Sequence, residues 1–376
     1  MMKTNLLASM QEALALVKSG NLLKATELIQ QGLNGKLIKT AANQVDASVI
    51  EGELVRKPAK PVQEVKVEQS HKPAQSEQRA GTGKPQFITK SFSNEHGVRE
   101  YKLYIPSSYG QKPLPLVIML HGCTQTADDF AAGTAMNQLA EELGFLVAYP
   151  NQTASANNKR CWNWFKTQDQ QTNQGEPAII AGLTQAIIRD YQADKQRVYI
   201  AGLSAGGAMA AIMGATYPKL YAAVGVHSGL AVGSATNVIS ALAAMNKGSC
   251  RVKEITQNSA SFVPTIVFHG DNDSVVHLRN GEQVYAQAEQ RLKASNDDYF
   301  NDNAFQLEQE QIKPKQGRSY TRACLNDAQG LAHIEYWTIH GAGHAWSGGN
   351  ASGSYTDPQG PNASREMLRF FLSHHH

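Results

Sequence analysis

Residues 197–213 read R-V-Y-I-A-G-L-S-A-G-G-A-M-A-A-I-M, and no other stretch restricts the fold as much. An apolar β-type run, 198–201, passes through G-L-S-A-G into a run of small residues with helical character from Ala205 onward. A strand becomes a helix over so few residues only through a strained turn. Glycines at its first and last positions, Gly202 and Gly206, let backbone pass close on both sides. The turn lifts the hydroxyl of Ser204 above a sheet edge, at the start of a helix. A serine there is a candidate nucleophile, and it needs an acid and a base from further along the chain.

The apolar runs around it describe the sheet. Residues 114–120 and 145–149 are continuous apolar runs, as in strands buried on both faces. Runs at 222–227, 265–268 and 332–338 continue the series, and 87–92 with 98–105 predict a two-stranded hairpin. Helical stretches fall between the strands, at 128–143, 176–191 and 205–217, and 366–372 closes the chain. Strands alternating with helices predict an α/β fold, a mostly parallel sheet with helices on both faces, over residues 85–373. The polar stretch 294–317 lacks periodicity and reads as an insertion.

Ahead of that domain the chain changes character twice. Leu6, Met10, Leu14 and Val17, then Leu22, Ala25, Leu28 and Ile29, recur at helical spacing on either side of S-G-N. They predict an N-terminal helical hairpin over 1–34. Residues 35–84 are rich in Pro, Gln, Glu and Lys and poor in aromatics, too little apolar surface to offset the entropy of ordering, so a flexible linker is expected. Gln11 and Glu12 interrupt the leucine-rich start before it becomes a signal-peptide core, so an amphipathic helix is expected there instead. No run approaches the ~18 apolar residues of a membrane span. A net charge of +3 over 376 residues gives no reason to expect a nucleic-acid partner. Cys123, Cys161, Cys250 and Cys324 lack Cys-x-x-Cys spacing, which argues against zinc, and no metal or other cofactor is expected. Two disulfides or none are both open.

Two loops carry the remaining chemistry. After the strand at 265–268 comes H-G-D-N-D-S-V-V-H, and after 332–338 comes I-H-G-A-G-H-A-W-S-G-G. Loops just beyond strands are where such sheets place their working residues. The order Ser204, then Asp271 or Asp273, then His340 or His344 is the Ser–acid–His order of α/β-hydrolases. The spacing H-G-x-x-D-x-x-V resembles the acid loop of many such enzymes, which implies Asp273 and leaves Asp271 as a turn residue bonding local backbone. Gly343, Gly348 and Gly349 fit an exposed loop around His344 and favour it as the base; His340 lies nearer the strand end. The expected oxyanion donors are the backbone N–H groups of Ala205 and of Cys123, in the H-G-C-T loop after the 114–120 run. Such donors are worth ~3–4 kcal/mol each. His121 and His269, each in an H-G pair at a strand end, read as local structural residues.

Five motifs now stand in order between 86 and 372: L-H-G-C-T-Q-T-A-D-D-F, R-C-W-N-W-F, G-L-S-A-G-G-A-M, H-G-D-N-D-S-V-V-H and G-A-G-H-A-W-S-G-G. Together they resemble the catalytic domain of type 1 poly(3-hydroxybutyrate) depolymerases, in a wider group with feruloyl and related carbohydrate esterases. The resemblance implies an α/β-hydrolase that cleaves hydroxyalkanoate esters, a polyester or small ester substrate, through Ser204, Asp273 and His344. Feruloyl or acetyl-xylan esters are the alternative substrates. A granule-binding protein with a degenerate hydrolase domain is the alternative of a different class. The resemblance further implies a Cys123–Cys161 disulfide that pins the oxyanion loop; two free thiols, favoured by a reducing compartment, are the other reading. It brings Trp162, Trp164 and Trp346 near the site as contacts for an apolar ester chain, with plain packing as the other reading. An extra module placed in front is similar to the cytoplasmic members that act on stored polymer granules. From this follow an expected cytoplasmic, granule-associated location and residues 1–34 as the candidate granule contact. A secreted or periplasmic location is the alternative.

Overall fold

The computed structural model describes residues 83–249, 261–295 and 304–376. The expected hairpin over 1–34, nearly all of the linker over 35–84, and Cys250 lie outside the described residues. Ten strands among the described residues form one sheet: β1 (Gln86–Asn94), β2 (Gly97–Ile105), β3 (Leu116–Leu120), β4 (Leu146–Pro150), β5 (Val198–Leu203), β6 (Ala223–His227), β7 (Thr265–Gly270), β8 (Phe305–Ile312), β9 (Tyr320–Asp327) and β10 (Ala332–Ile339). Their spatial order is β1-β2-β4-β3-β5-β6-β7-β10-β9-β8. From β4 to β10 the neighbours run parallel, and both edges are antiparallel.

The continuous apolar runs are the central strands, because each is buried on both faces. Alternate residues feed two cores. On one face Leu116, Ile118 and Leu120 meet Ile180 and Leu183 of α3 (Gly175–Asp190) and Met209 of α4 (Ala205–Thr216). On the other, Val117 and Met119 join Phe130 of α1 (Ala127–Thr134), Leu139 of α2 (Met136–Leu143) and Met367 of α7 (Ala363–Leu372). Two more helices, α5 (Val238–Lys247) and α6 (Arg279–Ser295), follow β6 and β7. Among the described residues, no helix is long and apolar enough to cross a membrane.

Two expectations change. The single helix at 128–143 is two helices, broken at Ala135, which takes the left-handed conformation at φ 53°. The cause is tertiary. The Gly133 carbonyl accepts the Asn350 amide at 2.8 Å, and Gly353 packs so closely on Gly133 that a Cβ on Gly353 would collide with the Gly133 backbone. The polar stretch 294–317, expected as an insertion, contains β8, which pairs with β9 in an antiparallel hairpin and extends the sheet. Most of β8 is exposed on both faces, so no apolar alternation marks it, and its charged and amide side chains suit an edge strand.

Candidate active site

Ser204 joins β5 to α4 at φ 58°, ψ −119°, outside the regions side chains ordinarily favour. A Cβ on Gly206 would run into the Leu120 and His121 carbonyls, and one on Gly202 into the Gly206 backbone. The Ser204 amide donates to the His227 carbonyl at 2.8 Å, and its carbonyl starts the helix by accepting from Ala208 at 2.9 Å. Its Oγ makes no capping bond and, among the described residues, none to His344. Serine–histidine hydrogen bonds are commonly long without substrate and tighten in the complex.

The two candidate aspartates and two candidate histidines sort into two pairs. Asp273 Oδ2 accepts from His344 Nδ1 at 2.7 Å, while its Oδ1 accepts the Val275 and Val276 amides at 2.9 and 2.8 Å. Burial pushes the Asp273 carboxyl up, but His344 and the Val276 amide outweigh it and hold it below its usual range. With Nδ1–H committed to Asp273, the lone pair of His344 resides on Nε2. Asp271 instead accepts from His340 Nδ1 at 2.8 Å and from the Gly341 amide at 2.6 Å. It bonds across to the β10 loop, where local backbone was expected. His340 Nε2 meets Thr321 Oγ1 at 2.9 Å.

Sequence reasoning passed over His227. Its Nε2 accepts the Ser347 amide at 2.9 Å, and its ring stacks between Phe268 and Trp346. Its backbone thus holds the elbow while its side chain holds the segment after His344. Burial lowers it to about 3, so the ring is neutral. A histidine at the end of an all-apolar strand was the only sign of it.

The H-G-C-T loop, expected to carry the second oxyanion donor, is held from behind. His121 is fully buried and lowered by that burial to about 4. Its Nε2 accepts the Gln152 amide at 3.0 Å, so Nδ1 carries the proton and donates to the Gly122 carbonyl at 2.7 Å. Because a peptide is planar, fixing that carbonyl also orients the N–H of Cys123. On the other side, the Gly122 amide donates to Gln125 Oε1 at 2.9 Å. Ala205, the first residue of α4, has a backbone N–H with no place in the intrahelical ladder. Cys123 and Cys161 are joined as a disulfide. The Cys161 carbonyl accepts Gln152 Nε2 at 3.0 Å, and the same amide group donates to Glu176. Glu176 also takes the Asn163 amide at 2.7 Å and lies 3.3 Å from Arg99. Burial raises Glu176, with neighbouring Asp169 adding to the effect. Cys324 is a buried free thiol, pushed up to about 11 by burial.

The tryptophans correct an expectation. Trp162, Trp164 and Trp346 are only 0%, 5% and 1% exposed, so they offer an ester chain almost no surface. Trp162 donates from Nε1 to the His121 carbonyl at 3.1 Å, and Trp346 donates to Ser364 Oγ at 3.0 Å. They pack the loops that carry the site rather than line it.

The family model described as Esterase PHB depolymerase matches residues 99–304. Poly(3-hydroxyalkanoate) depolymerase C of Paucimonas lemoignei is 28% identical over 263 residues, 68% of this chain and 60% of that protein. A probable acetylxylan esterase A of Neosartorya fischeri is 36% identical over 157 residues, 41% of each chain. Feruloyl esterase B of Neurospora crassa is 33% identical over 147 residues, 39% of this chain and 49% of that protein. The chain therefore spans roughly two fifths to three fifths of the length of these relatives. The solved acetyl xylan esterase from Aspergillus awamori shares the fold, with a TM-score of 0.56 at 20% identity over 77% of this chain and 98% of that one. With an α/β-hydrolase sheet, a serine elbow and a family match over more than half its length, the chain belongs to the Esterase PHB depolymerase family.

Proposed function

We propose that this protein is a serine esterase that hydrolyses hydroxyalkanoate esters, as polymer or oligomer, through Ser204, His344 and Asp273. The observation that carries the reading is the 2.7 Å bond from His344 Nδ1 to Asp273, on loops beyond β10 and β7, in the same sheet that presents Ser204 at the end of β5. His344 Nε2 takes the Ser204 proton as Oγ attacks the ester carbonyl. The carbonyl oxygen gains charge and is met by the N–H groups of Cys123 and Ala205. The tetrahedral adduct collapses, the C–O bond to the alcohol breaks, and His344 returns its proton to the leaving alkoxide. Water, deprotonated by His344, then attacks the acyl-serine, releasing the acid and restoring Ser204. Asp273 keeps the imidazole in the Nδ1–H tautomer and stabilises the imidazolium formed in each half.

Ser204→Ala is the direct test, with an expected loss of roughly 10⁴–10⁶-fold in kcat on a soluble ester; hydrolysis at the wild-type rate would end the reading. The substrate class is supported by the named depolymerase relative, and the acetylxylan and feruloyl esterase relatives supply the competitors. Turnover of hydroxybutyrate trimer, methyl ferulate and acetylated xylan is measured side by side. Activity confined to either carbohydrate ester would replace the hydroxyalkanoate reading. We assign residues 1–34 the role of contacting a polymer granule. Deleting them is expected to weaken sedimentation with hydroxybutyrate granules and to spare soluble-ester turnover; equal sedimentation would remove that role.

A further inference from the structure

The sequence places its aromatic ester contacts at tryptophans that the fold buries, which leaves open what an apolar chain would meet beside the oxyanion loop. Among the described residues, the aromatic side chains exposed by more than a third are Phe87 and Tyr355. Phe87 packs on Tyr104 and Tyr149 at the far edge strand. Tyr355, 46% exposed, adjoins the loop that carries Cys123. Its hydroxyl lies 3.3 Å from Oγ1 of Thr124, next in sequence to Cys123. Its carbonyl accepts the Trp346 amide at 2.7 Å, two residues past His344. The oxyanion loop and the base loop thus both converge on Tyr355.

The backbone beneath this ring is unusual. Tyr355 sits at φ 53° and Thr124 at φ 68°, left-handed conformations that glycine adopts freely and a bulky side chain does not. Such strain persists where the surroundings over-determine it, and it clusters at functional sites. Here the frame is explicit. The Ser354 amide and hydroxyl donate to Asp129 at 2.8 and 2.6 Å, and the Ser354 carbonyl accepts Gln125 Nε2 at 3.0 Å. The same Gln125 holds the Gly122 amide at 2.9 Å. A Cβ added to Gly122 would lie 3.6 Å from that of Ser204, so this frame abuts the nucleophile. A position suited to glycine therefore presents a large, rigid, exposed aromatic ring beside the acyl-transfer centre.

We propose that Tyr355 is a specificity-determining substrate contact: its ring walls the oxyanion side of the ester cleft and packs against the apolar chain of the bound ester. This rests on the esterase reading above. The experiment compares p-nitrophenyl hexanoate with p-nitrophenyl acetate for the full chain, for Tyr355→Gly and Tyr355→Phe, and for Leu307→Ala as an exposed control on β8. Tyr355→Gly is expected to lower the hexanoate-to-acetate ratio of kcat/KM about tenfold, chiefly through the KM for hexanoate. Tyr355→Phe and Leu307→Ala keep the ratio. The melting temperature of Tyr355→Gly does not fall, because glycine relieves the left-handed strain. An unmoved ratio in Tyr355→Gly, or equal losses on both esters together with a lower melting temperature, would overturn the contact and leave only a structural residue. Absence of wild-type turnover on both esters would instead overturn the esterase reading, and the contact with it.

Discussion

Asp271 and Asp273 face His340 and His344, and the geometry decides which histidine is free to act as a base. Both aspartates touch an imidazole Nδ1, but His340 Nε2 is directed at Thr321, whereas Nε2 of His344 has no such partner among the described residues. Asp273→Asn is therefore expected to reduce kcat by about 10³–10⁴-fold by favouring the wrong tautomer. Asp271→Asn, which weakens a loop clamp, is expected to stay within about tenfold of wild type. The reverse ranking in steady-state assays would reassign the acid. His121 makes a second prediction, about pH. Burial lowers its folded-state value to about 4, against about 6.5 in an unfolded chain. The folded value lies below the unfolded one, so the stability this group contributes is complete above about pH 6.5 and is lost as pH falls toward 4. Asp169 and Glu176, raised by burial, act in the opposite sense. The informative quantity is thus a difference: His121→Asn is expected to flatten the slope of urea-unfolding free energy against pH by about one proton near pH 5. An identical slope would mean that His121 carries a proton in the folded protein.

At the scale of elements, the strand–turn–helix around Ser204 was legible because its constraint is local. Glycine, serine and glycine at fixed spacing encode a backbone conformation, and the apolar runs encode strands buried on both faces. The same locality makes the turn fragile. A methyl group on Gly206 would meet the carbonyls of Leu120 and His121, which belong to β3 and the oxyanion loop and have little room to retreat. Gly206→Ala is expected to cost about 3 kcal/mol or more of folding stability, read from the urea midpoint, since overpacking and forced backbone shifts add. A midpoint within error of wild type would mean that the elbow is looser than drawn. What sequence patterns missed is what distant residues decide. Near Ala135 only Gly133 hints at the break between α1 and α2, and the contacts to it come from Asn350 and Gly353 at the other end of the domain. Strand β8 carries polar side chains on an edge and so lacks an apolar period. In the site, the motif positions were readable, but their support was not. Glu176, Gln152 and Gln125 are ordinary polar residues until the fold gathers them behind the oxyanion loop.

At the scale of the molecule, the Cys123–Cys161 disulfide links the proposed oxyanion loop to its surroundings. It closes a sequence separation of 38 residues, which in the chain-entropy picture adds about 4 kcal/mol to stability. One end is a proposed oxyanion donor, and the other is the residue whose carbonyl Gln152 ties to the buried Glu176 network. Opening the bond releases the loop on that side, while His121 and Gln125 still hold Gly122. The expected result for Cys161→Ser is a lower melting temperature and a kcat reduced about tenfold, with a smaller change in KM, because a displaced oxyanion donor weakens the transition state more than the ground state. A thiol reductant should reproduce the effect in the wild type and add nothing in the variant. That pairing separates the bond from any general sensitivity to reductant. It also bears on the redox state of the loop: in a reducing compartment the opened form would prevail, and in an oxidising one the closed form. Wild-type activity and melting temperature that are indifferent to reductant, with both thiols trapped as free, would show that the non-covalent network alone positions the loop.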